Sequence, residues 1–254
     1  MATRGPGEFC WINMITPQPA DACAFFGTVL GWTFFEMPGM GHGIRVGGRD
    51  IGGLFDLNGP NTPPGTPAYI GVMIKVEHLE STSAHIIALG GTAKPPMEIG
   101  PSGRMAVCHD PNGAAFDLWQ PLAMHGTDVD ASLHGAPSWF ETITTDDARA
   151  TAFYTSLFAW TPQLTSMGTF SYTSFMLNDA PVAGLMPRQP DMGDMPTDWR
   201  VYFSVDDADA AAATAAALGG TICVPPSDIP NIGRFAGIIS PQGVMFYVIT
   251  YLPR

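Results

Sequence analysis

The chain is written twice. Residues 7–32 (GEFCWINMITPQPADACAFFGTVLGW) align without a gap on residues 135–160 (GAPSWFETITTDDARATAFYTSLFAW), an offset of 128. The alignment pairs Trp11 with Trp139, Ile15 with Ile143, Phe25 with Phe153 and Trp32 with Trp160. A second block repeats as ALGGTAKPPMEIGPSGRMAV (88–107) and ALGGTICVPPSDIPNIGRFAG (217–237), with one inserted residue. DPNGAAFDLW (110–119) then matches SPQGVMFYVI (240–249). A long internal repeat restricts the fold to two copies of one unit. It predicts homologous domains over 7–122 and 135–253, joined by the polar stretch AMHGTDVDASLHG.

Each half carries a smaller rhythm. Residues 9–16 alternate and are rich in Trp, Ile and Met, as a strand requires. Ala22, Phe25, Phe26, Val29 and Leu30 recur at helical spacing. Strands follow around 42–47 and 50–57, and the pattern restarts at 69–76. A helix over 78–89 ends at Gly90-Gly91, and three short strands run to residue 120. In the second half Asp146 is placed to cap the first helix, and an Ala-rich helix over 207–218 stops at Gly219-Gly220. The unit is strand–helix–strand–strand–strand, present four times.

Alternation separates the faces of these strands. Val201, Phe203 and Val205 share one face, and so do Val72, Ile74 and Val76; these sets should pack on helices. The opposite faces carry Trp11 and Asn13; Gly71, Met73 and Lys75; Asp117 and Trp119; Trp139 and Glu141; Arg200 and Tyr202; and Met245, Tyr247 and Ile249. A face that mixes aromatic and polar residues suits a ligand pocket better than a dry core.

Composition excludes several classes of partner. Eleven Lys and Arg against 23 Asp and Glu leave a formal charge of -12, the wrong sign for a nucleic-acid backbone or an anionic membrane. No apolar run reaches the ~20 residues of a membrane helix, and the N-terminus shows no apolar signal stretch. Cys10, Cys23, Cys108 and Cys223 are widely spaced and read as buried thiols of a cytoplasmic protein. The Gly-rich stretches at 37–43 and 47–53 lack a phosphate-binding pattern.

The repeated strand–helix–three-strand unit resembles the vicinal oxygen chelate superfamily, which includes glyoxalases, bleomycin-resistance proteins and extradiol dioxygenases. The resemblance rests on TTDDARATAFYTSLFAW (144–160), ValAspAspAlaAsp (205–209), AlaLeuGlyGly (217–220), GlyArg (233–234) and AspProAsnGly (110–113). It spans nearly the whole chain and is nearest to tandem two-domain glyoxalase-like proteins of the hydroxylase-labelled type. It implies an α+β fold: two tandem glyoxalase-like domains, each of paired βαβββ units with a curved sheet around a cavity. Metal-using members take His or Gln, then His, then Glu from three strands of a domain. Carried over, those positions fall on Trp11, Gly71 and Asp117 in the first half, and on Trp139, Arg200 and Tyr247 in the second. The further position lies near Gly53 and Gly184. Of these only Asp117 could hold a metal, and a zinc or iron site needs three such ligands. No cofactor is therefore expected, and a divalent metal would need other ligands.

The expected partner is a small organic ligand, in a monomer or a homodimer. In the second cavity Arg200 could hold an anionic group through its planar fork, Glu141 could exchange a proton and Tyr247 could donate to an oxyanion, with Trp139 and Tyr202 lining the ligand. The alternative is an Arg–Glu ion pair filling a silent cavity. In the first cavity Trp11, Asn13, Asp117, Trp119 and Met73 are the candidate ligand-binding residues, against a packed aromatic core with Asp117 bonded to Asn13. Cys108-His109-Asp110 is read as structural, since neighbours on a strand diverge. His42, in a glycine-rich loop, could border the first cavity. The loops at 58–67 and 187–197 occupy equivalent places, and Met192 and Met195 could form an apolar lip. The leading function is an enzyme of lyase, isomerase or hydroxylase-like chemistry acting without the metal triad. The competing readings are a binding or sequestration protein of the drug-resistance type, a metal-dependent lyase or dioxygenase with displaced ligands such as Glu141, Asp117 or His42, and a degenerate structural protein.

Overall fold

A computed structural model describes residues 4–59, 62–63 and 65–253. The first half opens with strand β1 (Phe9–Thr16), helix α1 (Pro19–Leu30) and strands β2 (Thr33–Met37), β3 (Gly41–Val46) and β4 (Arg49–Asp56). It continues with β5 (Tyr69–Lys75), α2 (Leu79–Ala88), β6 (Thr92–Ala93), β7 (Met97–Ile99), β8 (Gly103–His109) and β9 (Ala115–Pro121). The second half runs β10 (Pro137–Thr144), α3 (Asp147–Phe158), β11 (Thr161–Ser166), β12 (Ser171–Leu177) and β13 (Ala180–Pro187). After a short 3-10 turn come β14 (Asp198–Ser204), α4 (Ala208–Ala217), β15 (Thr221–Ile229), β16 (Gly233–Ile239) and β17 (Met245–Tyr251).

Each half makes its own curved sheet. The first follows the order β2-β3-β4-β1-β5-β9-β8-β6, with β7 also on β8; the second follows β11-β12-β13-β10-β14-β17-β16-β15. The opening strand of each half pairs in parallel with the last strand of its own unit and antiparallel with the first strand of the next. This joins the two units of each half into one sheet. Local sequence sets the helix ends. Pro19 sits in the first turn of α1 and Gly31 closes it in the left-handed region (φ 63°). Asp146 and Asp207 accept from backbone amides three residues on, capping α3 and α4.

The halves differ where prolines fall. The sequence predicts three strands after α2, and the structure has four. The ladder breaks between β6 and β7, on either side of Lys94-Pro95-Pro96. In the second half β15 runs through Pro225-Pro226 as one strand, with register shifts there. A proline has no N–H for the ladder, so both edges slip at the same site.

One core serves both halves. Ile12, Met14, Val72, Ile74 and Phe116 of the first sheet join Val201, Phe203, Phe246 and Val248 of the second. Phe9 stacks on Phe140 with centroids 4.1 Å apart, and Phe26 meets Phe246 at 4.9 Å. Helix α1 packs on α4, and α2 on α3. The faces turned away from this core are the two concavities. The sequence placed all four thiols inside. Cys10 and Cys108 are buried and Cys23 partly so, but Cys223 is exposed because it lies on the edge strand β15, whose first residues Thr221, Cys223 and Pro225 are turned to water.

Candidate functional sites in two concavities

Strand register builds each site. In the second half one row crosses the concave face as Arg200, Glu141, Gly184, Ser174 and Gln163. The next row runs Trp139, Tyr202, Tyr247, Gly237. The five residues expected from sequence to share this cavity, Arg200, Glu141, Tyr202, Tyr247 and Trp139, do come together.

Their bonding differs from an Arg–Glu pair. Glu141 accepts from Tyr202 at Oε1 and from Tyr172 at Oε2, both at 2.9 Å. Tyr172 in turn accepts from Trp139 Nε1 at 2.9 Å. Arg200 donates to Tyr247 Oη at 2.5 Å and, more weakly, to Met245 Sδ at 3.5 Å. Its Nε is buried without a hydrogen-bond partner. Arg200 is thus only 6% exposed and its guanidinium incompletely hydrogen-bonded. Burial pushes the Glu141 carboxyl above the usual range, against the pull of its two tyrosine donors and of Arg200. Tyr202 and Tyr172 are raised by burial and by the nearby carboxylate. Burial raises Tyr247 too, with Arg200 opposing it.

Tyr172 is a site residue that sequence reasoning missed. It lies on β12, two strands from Glu141, and reaches across Gly184. A Cβ at Gly184 would fall 1.8 Å from the Tyr172 hydroxyl and 3.0 Å from Trp139 Nε1. A glycine between two aromatic strands is the available signal.

In the first half the corresponding row reads Gly71, Asn13, Gly53, Gly43, Phe35. The next reads Trp11, Met73, Asp117, Val107. Asp117, Asn13 and Trp11 are half-buried and face the concavity, while Met73 and Trp119 are buried beneath it. Trp119 spends its N–H on Met124 O at 2.8 Å. Asn13 donates to Asp117, yet burial among apolar groups still pushes that carboxyl up to about 7. His42 lies within β3, opposite the core residue Leu54, which places it on the convex side rather than at the cavity rim. Asp110 is structural: it accepts from Asn112 N, Ala114 N and Tyr154 Oη. The 58–67 loop borders an open surface groove of about 300 Å³ lined by Leu57, Asn58, Thr62, Pro63 and Thr66; Pro60, Asn61 and Pro64 lie outside the described residues. In the 187–197 loop Met192 and Met195 are half-buried, and Arg188 donates to Met195 O.

A divalent metal does not fit the positions at which it is held in related folds. They carry Trp11, Gly71 and Asp117 in the first half and Trp139, Arg200 and Tyr247 in the second, so one carboxylate stands where three ligands are needed, and at Arg200 a buried cation would oppose the ion directly. Among the described residues no three His, Cys, Asp or Glu converge as metal ligands.

Residues 137–248 match the family model described as Glyoxalase/Bleomycin resistance protein/Dioxygenase superfamily. A Mycobacterium tuberculosis protein named "Putative glyoxylase CFP32" is 33% identical over 96% of this chain and 95% of its own. The "Anthracycline biosynthesis protein DauV" of a Streptomyces species is 30% identical, over 98% and 95%. Among solved structures, the Mn(II)-bound glyoxalase from Novosphingobium aromaticivorans superposes with a TM-score of 0.67 at 14% identity, covering 98% of this chain and 83% of that one.

Proposed function

The chain belongs to the glyoxalase/bleomycin resistance/dioxygenase superfamily, and from that membership we propose that it acts on a small anionic organic molecule in the second concavity, with protein groups in place of a metal. The observation that carries this reading is the Arg200 guanidinium, buried on the concave face with Nε unpartnered. Leaving a buried cation under-satisfied is unfavourable unless something completes it, and an anionic oxygen does so. The anthracycline-related name of one relative supports a small organic substrate over a macromolecule.

The chemistry follows from the neighbours. Tyr247 accepts from Arg200 and keeps its own proton to donate, so the pair offers two donors to one developing oxyanion. Glu141 sits directly across the ladder from Arg200, and the burial that raises its proton affinity suits it to proton exchange. A proton leaving carbon would go to Glu141, and the charge left on oxygen would rest on Arg200 and Tyr247. Returning the proton elsewhere isomerises the substrate; losing a leaving group instead makes the reaction a lyase reaction.

Metal analysis of purified protein, paired with thermal-shift titration of small carboxylates and enolates, tests this. The expected result is stabilisation by an anion that disappears in Arg200→Met, with no stoichiometric metal. Stoichiometric Zn, Fe, Mn, Ni or Co would overturn the reading, as would anion binding unaffected by Arg200→Met.

A further inference from the structure

We propose that the first concavity is a separate site for a flat aromatic cation, which lies on Trp11, Phe55 and Tyr69 and donates a hydrogen bond from its nitrogen to Asp117. The floor is made by absent side chains. Asn13 is flanked by Gly71 and Gly53 in register, and neighbouring rings fold down over both glycines. A Cβ at Gly53 would meet the Phe55 ring at 2.6 Å, and one at Gly71 the Tyr69 ring at 3.2 Å. Both rings thus lie on the concave side of the sheet, over the glycines. Tyr69 is 39% exposed, and Phe55 and Trp11 are half-buried. Rings gathered on one concave face are a binding feature where scattered ones would not be.

The charge of the site comes from Asp117. Among the described residues Asn13 is the hydrogen-bond donor that acts on it, although a carboxylate can accept about four bonds. It forms no ion pair among the described residues. Lys94, beyond β6, is the cation that acts on it, and only to draw its proton affinity down. Asp198 of the other half adds a second negative field at Tyr69. A cation is favoured by both carboxylates and by the faces of the rings. The chain already contains such a contact at the sheet edge, where the Arg45 guanidinium lies 4.0 Å from the Phe35 centroid. The two concavities therefore select opposite charges: at matching points on their sheets one carries glycine at 71 and the other a buried arginine at 200.

The test is a fluorescence titration at about pH 8 with two planar tricycles, the cation 9-aminoacridine and the anion 9-anthracenecarboxylate. Saturable one-to-one binding of the cation is expected, weakened about tenfold or more by Asp117→Asn. Tyr69→Ser, at an exposed position where folding is not at stake, should weaken it by a smaller factor. Absence of saturable binding at about 1 mM, equal binding of the anion, or an unchanged affinity in Asp117→Asn would each overturn the proposal.

Discussion

Tyr154 on α3 donates to Asp110 Oδ2, at 3.1 Å, from the opposite half of the molecule. Trp199 Nε1 completes the chain by donating to Tyr154 Oη at 2.8 Å. All three residues are buried. Asp110 meanwhile holds its own turn through Asn112 N and Ala114 N, and the Asn112 side chain reaches Thr144 and the carbonyl of Asp146. One turn of the first half is thus bonded to the start of a helix in the second.

Tyr154→Phe leaves the Trp199 indole N–H and one Asp110 oxygen unpaired in the interior. A loss of about 1–3 kcal/mol is expected, read as a lower urea midpoint with an unchanged slope. A midpoint equal to that of the parent would show that water replaces the hydroxyl.

Gly184→Ala puts a methyl group where the Tyr172 hydroxyl lies. The ring must swing away, which breaks its bond to Glu141 and the bond it accepts from Trp139. Destabilisation of about 1–3 kcal/mol and a further rise in the proton affinity of Glu141 are expected. Carboxyl infrared or carbon NMR titration of Glu141 reads the second effect.

Arg200→Met should separate stability from function. Removing an incompletely satisfied buried cation changes stability by less than about 1 kcal/mol or raises it, while anion binding disappears. Thermal and chemical unfolding check the first half of this statement, and titration with carboxylates the second. A large loss of stability would mark Arg200 as a structural residue.

Asp117 fixes the sign of a pH dependence. Its carboxyl titrates near 7 in the fold and near the ordinary value when unfolded. The folded form therefore binds the proton more tightly, and stability falls as pH rises from about 4 through about 7. Above that window Asp117→Asn should be more stable than the parent, and below about 4 the two should converge. Unfolding measured across this range tests the claim; parallel curves would refute it.

The fold was legible because periodicity is a local property that the repeat displays four times. Val201, Phe203 and Val205 are buried in the core as their alternation demands, and Arg200 and Tyr202 lie on the other face. Membership of a concave face was legible for the same reason. Contacts made across strands were not. The reach of Tyr172 over Gly184 depends on a register two strands away, and the bond from Asp110 to Tyr154 spans the two halves. Alternation also says nothing of depth. Glu141 lies deep in its row beneath the Tyr172 hydroxyl, while Asn13, at the matching point of the first sheet, stays half-buried with glycines for neighbours.

The shared core has a bearing on ancestry. Both sheets turn their convex sides inward, so each half shelters the oily surface of its sibling and neither could be shed without wetting it. The two hollows open outward and take no part in that mutual cover. After a gene doubled, either hollow could drift toward a new occupant while the joint interior held the molecule together.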